Sequence, residues 1–423
     1  MLLDITPLKI SRDYRLLFFG QMLSFFGSMV TFIVVPVHVY ALTGSTLYVG
    51  LLGVAEFIPM FALAFIGGTM ADAIDRRKIL RWTEIGQALT TLLLLGNALL
   101  AEPQVWVLFV AVGIHAGLAG LQRPAFEALI PKIVPLEYMS AVAALNALRF
   151  EIGFIIAPIA GGLIATQFGF AWAYAIDLFT FVGTLTAVML ISAVPPPANA
   201  DRPGWDSIKK GFKYAVSRQE LLGTYVVDIN AMFFGMPKAL FPAMAVGFMA
   251  GGSVGFFYAA IAVGALVATL TSGWTKWVHR HGLMVALAAA GWGAAIILFG
   301  LMDGLYLALF FLAVAGFFDM ISGIFRQTIW NQTVPEHYRG RLAGIEMISF
   351  LTGPMLGDAE SGIVAHFFSI KFSIISGGVL TIVGTIVLAL LLPKFIRYDG
   401  REGLKRKREE EEERARQMDA AKI

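Results

Sequence analysis

Twelve long apolar blocks constrain this chain more than any other feature of its 423 residues. Punctuated by Gly, Pro and charge, they lie near 16–42, 47–71, 79–100, 104–126, 141–167, 170–193, 219–246, 253–275, 282–302, 305–330, 341–368 and 372–393. About 20 apolar residues suffice for a helix to cross the hydrocarbon core. Lipid offers backbone N–H and C=O groups no partners, so only helices or closed barrels span it. Blocks this long and without alternation are helices. Composition agrees, with 58% hydrophobic and 14% charged residues against about 25% charged in soluble domains. The expected fold is an all-α membrane protein of twelve transmembrane helices in two pseudo-symmetric six-helix bundles.

Charge sets the orientation. Arg76, Arg77, Lys78 and Arg81 follow the second block, Arg123 and Lys132 the fourth, and Arg202, Lys209, Lys210, Lys213 and Arg218 the sixth. Lys276 and Arg280 follow the eighth, Arg339 and Arg341 the tenth, and the tail from Lys394 is basic. The predicted outer loops hold one Lys, Lys371. Cytoplasmic loops are the Lys- and Arg-rich ones, so both termini are expected inside. The first block follows Lys9, Arg12 and Arg15 and is too long for the core of a signal peptide, so it reads as a permanent span. With no cysteine, disulfides, thiol catalysis and thiolate metal sites are excluded.

The longest internal connection divides the chain into an N-terminal bundle 1–193, a cytoplasmic linker 194–218, a C-terminal bundle 219–393 and a charged tail 394–423. The linker opens with Pro195-Pro196-Pro197, and Trp205 to Tyr214 suits a short basic amphipathic helix on the membrane surface. Val134-Pro135-x-x-Tyr138 recurs as Val334-Pro335-x-x-Tyr338 at an offset of 200, and Gly50 and Gly68 match Gly255 and Gly273 at 205. These matches support a duplicated six-helix unit, and paired halves around a midplane site are a common transporter design. In the tail, Lys405 to Arg408 precede Glu409 to Glu413, a run that reads as a solvated helix or disordered segment whose basic part touches lipid heads.

Two motifs carry a family resemblance. After the second span the chain reads Gly68-x-x-x-Asp72-x-x-Asp75-Arg76-Arg77-Lys78. This resembles motif A of the major facilitator superfamily, with Ala73 in place of its Arg and Asp75 in place of its Gly. The resemblance implies that Asp72 and Arg76 or Arg77 lock a cytoplasmic gate; positive-inside charge alone is the other account. The fifth span carries Gly153, Ala157, Pro158, Gly161 and Gly162. Proline bends a helix and small neighbours let another helix fill the bend. The pattern is similar to the superfamily's motif C, with Ala144 and Ala157 replacing two glycines, and implies export in exchange for protons. A kinked packing helix without bearing on direction is the alternative. Further matches, among them Gln21-x-x-Ser24-x-x-Gly27, Gly255-Phe-x-Tyr258 and Gly340-Arg341-x-x-Gly344, resemble the subfamily of the enterobactin (siderophore) exporter and its macrolide-efflux relatives. The similarity runs to about Leu392, and relatives on this skeleton export different compounds.

Ionisable residues at membrane depth cost at least about 2.5 kcal/mol each, so each needs a reason. Glu56 lies roughly 13 Å from the outer end of its span at 1.5 Å per residue, and Arg149, Asp177 and Asp228 sit at comparable depth. Glu56 or Asp228 is a candidate proton carrier, with Arg149 as its partner or as a contact for an anionic substrate. A structural ion pair is the alternative. Asn146, Arg149 and Gly153 share one face, from which Arg149 is expected to face a central cavity with Glu56, Asp177 or Glu346 in reach. Glu346, Gly353, Gly357 and Glu360 share another stripe, suiting a cavity-facing helix or close packing. Asp319 and Arg326, seven apart, read as gate or interface residues. His38 and His115 are isolated, so no metal site is expected.

The expected function is a secondary transporter, namely a proton-coupled exporter of an amphipathic organic compound such as a siderophore, macrolide or other drug, working by rocker-switch alternating access. Uptake or lysolipid transport on the same fold is the alternative. A membrane sensor or enzyme has little support, since the chain has no P-loop, H-E-x-x-H or nucleophile elbow. The expected partners are a small organic substrate, protons and the lipid bilayer, with no nucleic acid and no cofactor. The protein is expected to act as a monomer in the inner membrane of a bacterium.

Overall fold

The computed structural model describes residues 4–192, 212–248, 254–335, 339–405, 407, 409 and 412. Among them the chain is helical, with one isolated bridge between Arg280 and Asp399. Twelve long helices follow one another: α1 Arg12–Thr43, α2 Thr46–Ala73, α3 Arg76–Ala98, α4 Val105–Ile133, α5 Met139–Gln167, α6 Phe170–Leu190, α7 Gln219–Gly235, α8 Val254–Thr271, α9 His281–Leu301, α10 Leu305–Thr333, α11 Arg339–Phe367 and α12 Ile370–Leu391. Ten of these spans are apolar enough to cross a membrane. The more polar two are α3, which opens on four cations, and α11, which carries Glu346, Asp358 and Glu360.

Local chemistry starts and stops these helices. Ser11 caps α1 by accepting from the Tyr14 amide at 3.1 Å. Gly44 ends α1 in the left-handed region at φ 60°, where a Cβ would be strained, and its N–H reaches the Tyr40 carbonyl at 2.8 Å. Asn97 and Gln104 clasp the turn between α3 and α4, the Gln104 amide donating to Asn97 Oδ1 at 2.8 Å. The seventh span, expected as one helix over 219–246, is interrupted. It stops at Gly235, passes through a 3-10 turn Lys238–Leu240, and resumes as Phe241–Gly247. Pro237 and Pro242 explain the break, since each fixes φ and removes a donor. The fourth span runs past its expected end at 126 to Ile133 because Leu129 and Ile130 are buried against Tyr14, Leu17 and Phe18 of α1.

The chain forms two compact units, one of Met1–Arg202 with Lys238–Ala262 and one of Pro203–Pro237 with Val263–Ile423. In the first, α1 packs on α5 and α6, and α4 on α2 and α3. A Cβ at Gly120 would stand 2.6 Å from the Met60 carbonyl, which explains how α2 and α4 approach so closely. In the second, α9 packs on α10 and α12, and α7 on α11 and α12. Trp292 of α9 is fully buried and donates to the Gly235 carbonyl at 3.2 Å. Large apolar side chains such as Phe179, Leu270 and Leu390 are more than two-thirds exposed, as lipid-facing positions should be. The linker prolines and Trp205 to Gly211 lie outside the described residues, as does Tyr338 of the second repeat motif. In the first-half copy of that motif, Val134 caps α4 and Leu136–Tyr138 form a 3-10 turn leading into α5.

Candidate functional site

The first unit encloses two acids that no cation neutralises. Glu84 on α3 is 1% exposed, and its Oε1 accepts from Gln21 Nε2 of α1 at 2.9 Å and Gln122 Nε2 of α4 at 2.7 Å. Asp177 on α6 is wholly buried, and its Oδ2 accepts from Thr31 of α1 at 2.6 Å and Thr91 of α3 at 3.1 Å. The remaining oxygens, Glu84 Oε2 and Asp177 Oδ1, have no hydrogen-bond partner. Neither acid pairs with a Lys or Arg among the described residues. Gly27 makes room for this seam, since a Cβ there would stand 2.6 Å from Asp177 Oδ1. A polar layer thus runs through the interior of an apolar bundle, built from four of its helices. Buried carboxylates satisfied only by neutral donors are costly, which marks them as functional candidates.

The second unit arranges its charges differently. Arg326 of α10 bonds Asp228 of α7 directly through Nη1, and its Nη2 lies 3.8 Å from Asp319. The seven-residue spacing of Asp319 and Arg326 puts them on one helix face, and Asp228 meets them from the facing helix. Glu346 of α11 is within electrostatic reach of the same guanidinium. This is a compensated acid–base cluster, in contrast to the bare acids of the first unit.

Arg149 departs from expectation. It is buried, yet neither Glu56 nor Asp177 of the same unit pairs with it. Its Nε and Nη1 have no hydrogen-bond partner, and its guanidinium sits 4.9–5.9 Å from the ring centres of Phe25, Phe126 and Phe150. Cation–π attraction takes the place of the expected ion pair. Asp177 is engaged by threonines on the other side of α1. The stripe of α11 is likewise a packing surface at its centre. Gly353 and Gly357 lie against Ile229, Met232 and Phe233 of α7, while Glu346 and Glu360 at its ends are half-buried. Glu56 and Asn146 are also half-buried.

The motif residues have clear local roles. Gly68 and Asp72 lie outside the described side chains. Asp75, a departure from motif A, caps α3 by accepting from the Arg77 amide at 2.9 Å. Arg77 reaches the end of α6, donating through Nε to the Val188 carbonyl at 3.0 Å and through Nη2 to that of Met189. A cation there answers the unpaired carbonyls and negative dipole end of a helix. Arg76 is buried. In motif C, Gly153 faces the Phe25 ring and Gly161 the Val30 backbone at 3.3 Å, so this side of α5 seats α1. Pro158 and Gly162 are buried, and Gly255 of α8 packs onto the Pro158 carbonyl.

Reading the sequence for depth missed Glu84, Gln21 and Gln122. Glu84 follows four cations closely and reads as part of a surface turn, but it lies eight residues into α3, about 12 Å along the axis. Its signal was the pairing with polar Gln21 and Gln122 in otherwise apolar helices. His38 Nδ1 meets the Tyr174 hydroxyl at 3.1 Å and His115 Nδ1 the Thr90 hydroxyl at 3.2 Å, both as ordinary interior contacts. Among the described residues no cluster of three or more potential metal ligands is found.

Comparison with known proteins agrees with this architecture. A family model described as transmembrane secretion effector matches residues 4–415. The enterobactin exporter EntS of Shigella boydii is 29% identical over 394 residues, covering 92% of this chain and 94% of that protein. EntS of Citrobacter koseri is 29% identical over 393 residues with the same coverage. Among solved structures, a mutant of the nucleoside transporter NupG superposes with a TM-score of 0.75 at 12% identity, covering 90% of this chain and all of that one. A bacterial homologue of the human lysosomal transporter Spinster gives 0.67 at 17% identity, covering 93% and 97%. At such identities the likeness to solved structures is one of fold.

Proposed function

Because the chain belongs to the transmembrane secretion effector family of the major facilitator superfamily, we propose that it exports a siderophore or a similar amphipathic organic compound by proton-coupled alternating access. The observation that carries the reading is its similarity to enterobactin exporters along 92% of its length. The protein works as a monomer in a bacterial inner membrane with both termini in the cytoplasm.

The buried polar groups supply a route for coupling. Asp177 and Glu84 each hold one oxygen on neutral donors and leave the other open, so either can gain or lose a proton without breaking an ion pair. Asp228 is tied to Arg326, so its protonation would release the guanidinium and change how α7 meets α10. Glu56, Glu346 and Glu360 are further stations on the pathway, and Asn146 contributes a polar group beside them. Asp72 with Arg76 and Arg77 acts at the gate, where Arg77 ties α3 to the end of α6. Helix α5, with Pro158 inside it, resembles the motif C of proton-exchanging exporters.

A deletion strain tests the assignment. Loss of this gene should lower siderophore in the medium and raise it in the cells, and plasmid-borne wild type should restore secretion. Unchanged secretion across a panel of siderophores and macrolides would reject the export reading.

A further inference from the structure

A second site lies at the end of the second unit where α7 and α9 begin and α10 and α12 finish. A cavity of about 510 Å³ opens there, within the range of about 300–1,000 Å³ typical of small-molecule sites. Its walls are the start of α7, the end of α10 and the segment Pro393–Lys407 that follows α12. That segment is firmly seated. Phe395 is fully buried, its ring against Gly223 and its carbonyl against Gly282. The Tyr398 hydroxyl accepts from Thr333 at 3.2 Å and donates to Gln332 at 3.3 Å. The Gly400 amide donates to the His279 carbonyl at 3.0 Å, and Lys407 Nζ to that of Asn331 at 3.1 Å.

The charges lining the cavity do not cancel. Arg218 pairs with Glu220 at 3.3 Å. Asp399 is claimed by Arg401, which reaches its two oxygens at 3.1 and 2.8 Å. Those hydrogen bonds hold the Asp399 carboxyl down at about 2, so it is an anion already answered by its neighbour. The lining cations Arg218, Lys394, Arg397 and Lys407 exceed the anions Glu220, Asp399 and Glu402 by one charge, and by two once Arg401 beside the cavity is counted with Asp399. Lys394 and Arg397 make no ion pair among the described residues, and Lys407 meets a neutral carbonyl.

The apolar surroundings identify the kind of anion. Leu390 and Leu391, the last residues of α12 before this segment, are 76% and 66% exposed. An apolar wall leading directly into a basic recess at a helix end matches a lipid, with chains along the helix and headgroup in the recess. Basic residues just beyond a membrane span attract anionic lipids, each worth about fivefold in affinity near the surface. We propose that this cavity binds the phosphodiester headgroup of an anionic membrane lipid, with Lys394, Arg397 and Lys407 as its cationic ligands. The site shares no lining residue with the groups proposed for the transport pathway and does not depend on the identity of the cargo.

Full-length protein in phosphatidylcholine nanodiscs doped with phosphatidylglycerol provides the test, with retained lipid counted by native mass spectrometry. Wild type should retain phosphatidylglycerol in preference to phosphatidylcholine. The triple variant Lys394→Gln, Arg397→Gln, Lys407→Gln should lose that preference at least tenfold. Lys394→Arg with Lys407→Arg should keep it, separating charge from folding. The pair Arg123→Gln, Lys132→Gln in the first unit should leave it unchanged. Persistence of the preference in the triple variant, or an equal loss in the first-unit pair, would overturn the site. Displacement of the lipid by millimolar inorganic phosphate would assign the recess to soluble phosphate and overturn the lipid assignment.

Discussion

Asp228→Asn is the perturbation whose size follows most directly from the structure. The Asp228 side chain is 7% exposed and that of Arg326 18%, so removing the charge leaves a guanidinium largely inside the second unit without its close partner. Removing one member of a buried pair costs about 3–5 kcal/mol, or roughly two to four decades in the folding equilibrium. Asp319 cannot substitute. It stands 3.8 Å from Arg326 but is 36% exposed. At an effective dielectric of about 20 the bare attraction there is about 4 kcal/mol, and solvent reduces exposed pairs to about 0–1 kcal/mol. Asp319→Asn should therefore change stability by less than about fivefold. Replacing both partners, as in Asp228→Leu with Arg326→Met, should recover most of the loss, because no charge is then stranded. Unfolding of purified protein in mixed micelles, titrated with SDS and followed by tryptophan fluorescence, measures all three against wild type. Equal effects of Asp228→Asn and Asp319→Asn, or a double variant as unstable as Asp228→Asn, would refute the reasoning.

Arg77→Gln should free the end of α6, at about 1.5–3 kcal/mol for a charged hydrogen bond, and speed amide exchange at Ile191 and Ser192; unchanged exchange would deny the capping role. Gly282→Ala places a Cβ against the Phe395 carbonyl and should release the segment after α12, seen as faster tryptic cleavage at Lys394 and Arg397. The Asp399 turn is also testable by pH. Its folded value of about 2 lies below the usual carboxylate range, so its contribution is complete above about pH 4 and lost only as pH falls towards 2. Protection of the Arg401 amide, corrected for intrinsic rate, should stay constant from pH 7 to 4 in wild type and be low throughout in Asp399→Asn.

Much of the fold was legible because lipid imposes a simple rule. Ten of the twelve spans have both ends within a few residues of those expected, since a block of apolar residues bounded by Gly, Pro or charge leaves little choice. The rule fails where protein replaces lipid. The extension of α4 to Ile133 comes from burial against α1, which hydropathy does not register, and the break at Pro237 falls inside a block whose overall hydropathy reads as one continuous span. Depth along a span also says nothing about partners. Arg149 was read as half of an ion pair and rests among three phenylalanines, whereas Asp228 found its partner on α10. Glu84 went unread because its partners, Gln21 and Gln122, lie 63 and 38 positions away on other helices.

Transport by purified protein in liposomes tests the central claim most directly. Enterobactin is supplied outside inside-out-oriented proteoliposomes with an acidic interior. Wild type should accumulate it inside only while the pH gradient lasts, a protonophore should abolish accumulation, and Asp177→Asn should abolish it in correctly folded protein. Absence of accumulation for enterobactin and for every other siderophore supplied, or accumulation unaffected by the protonophore, would contradict proton-coupled export.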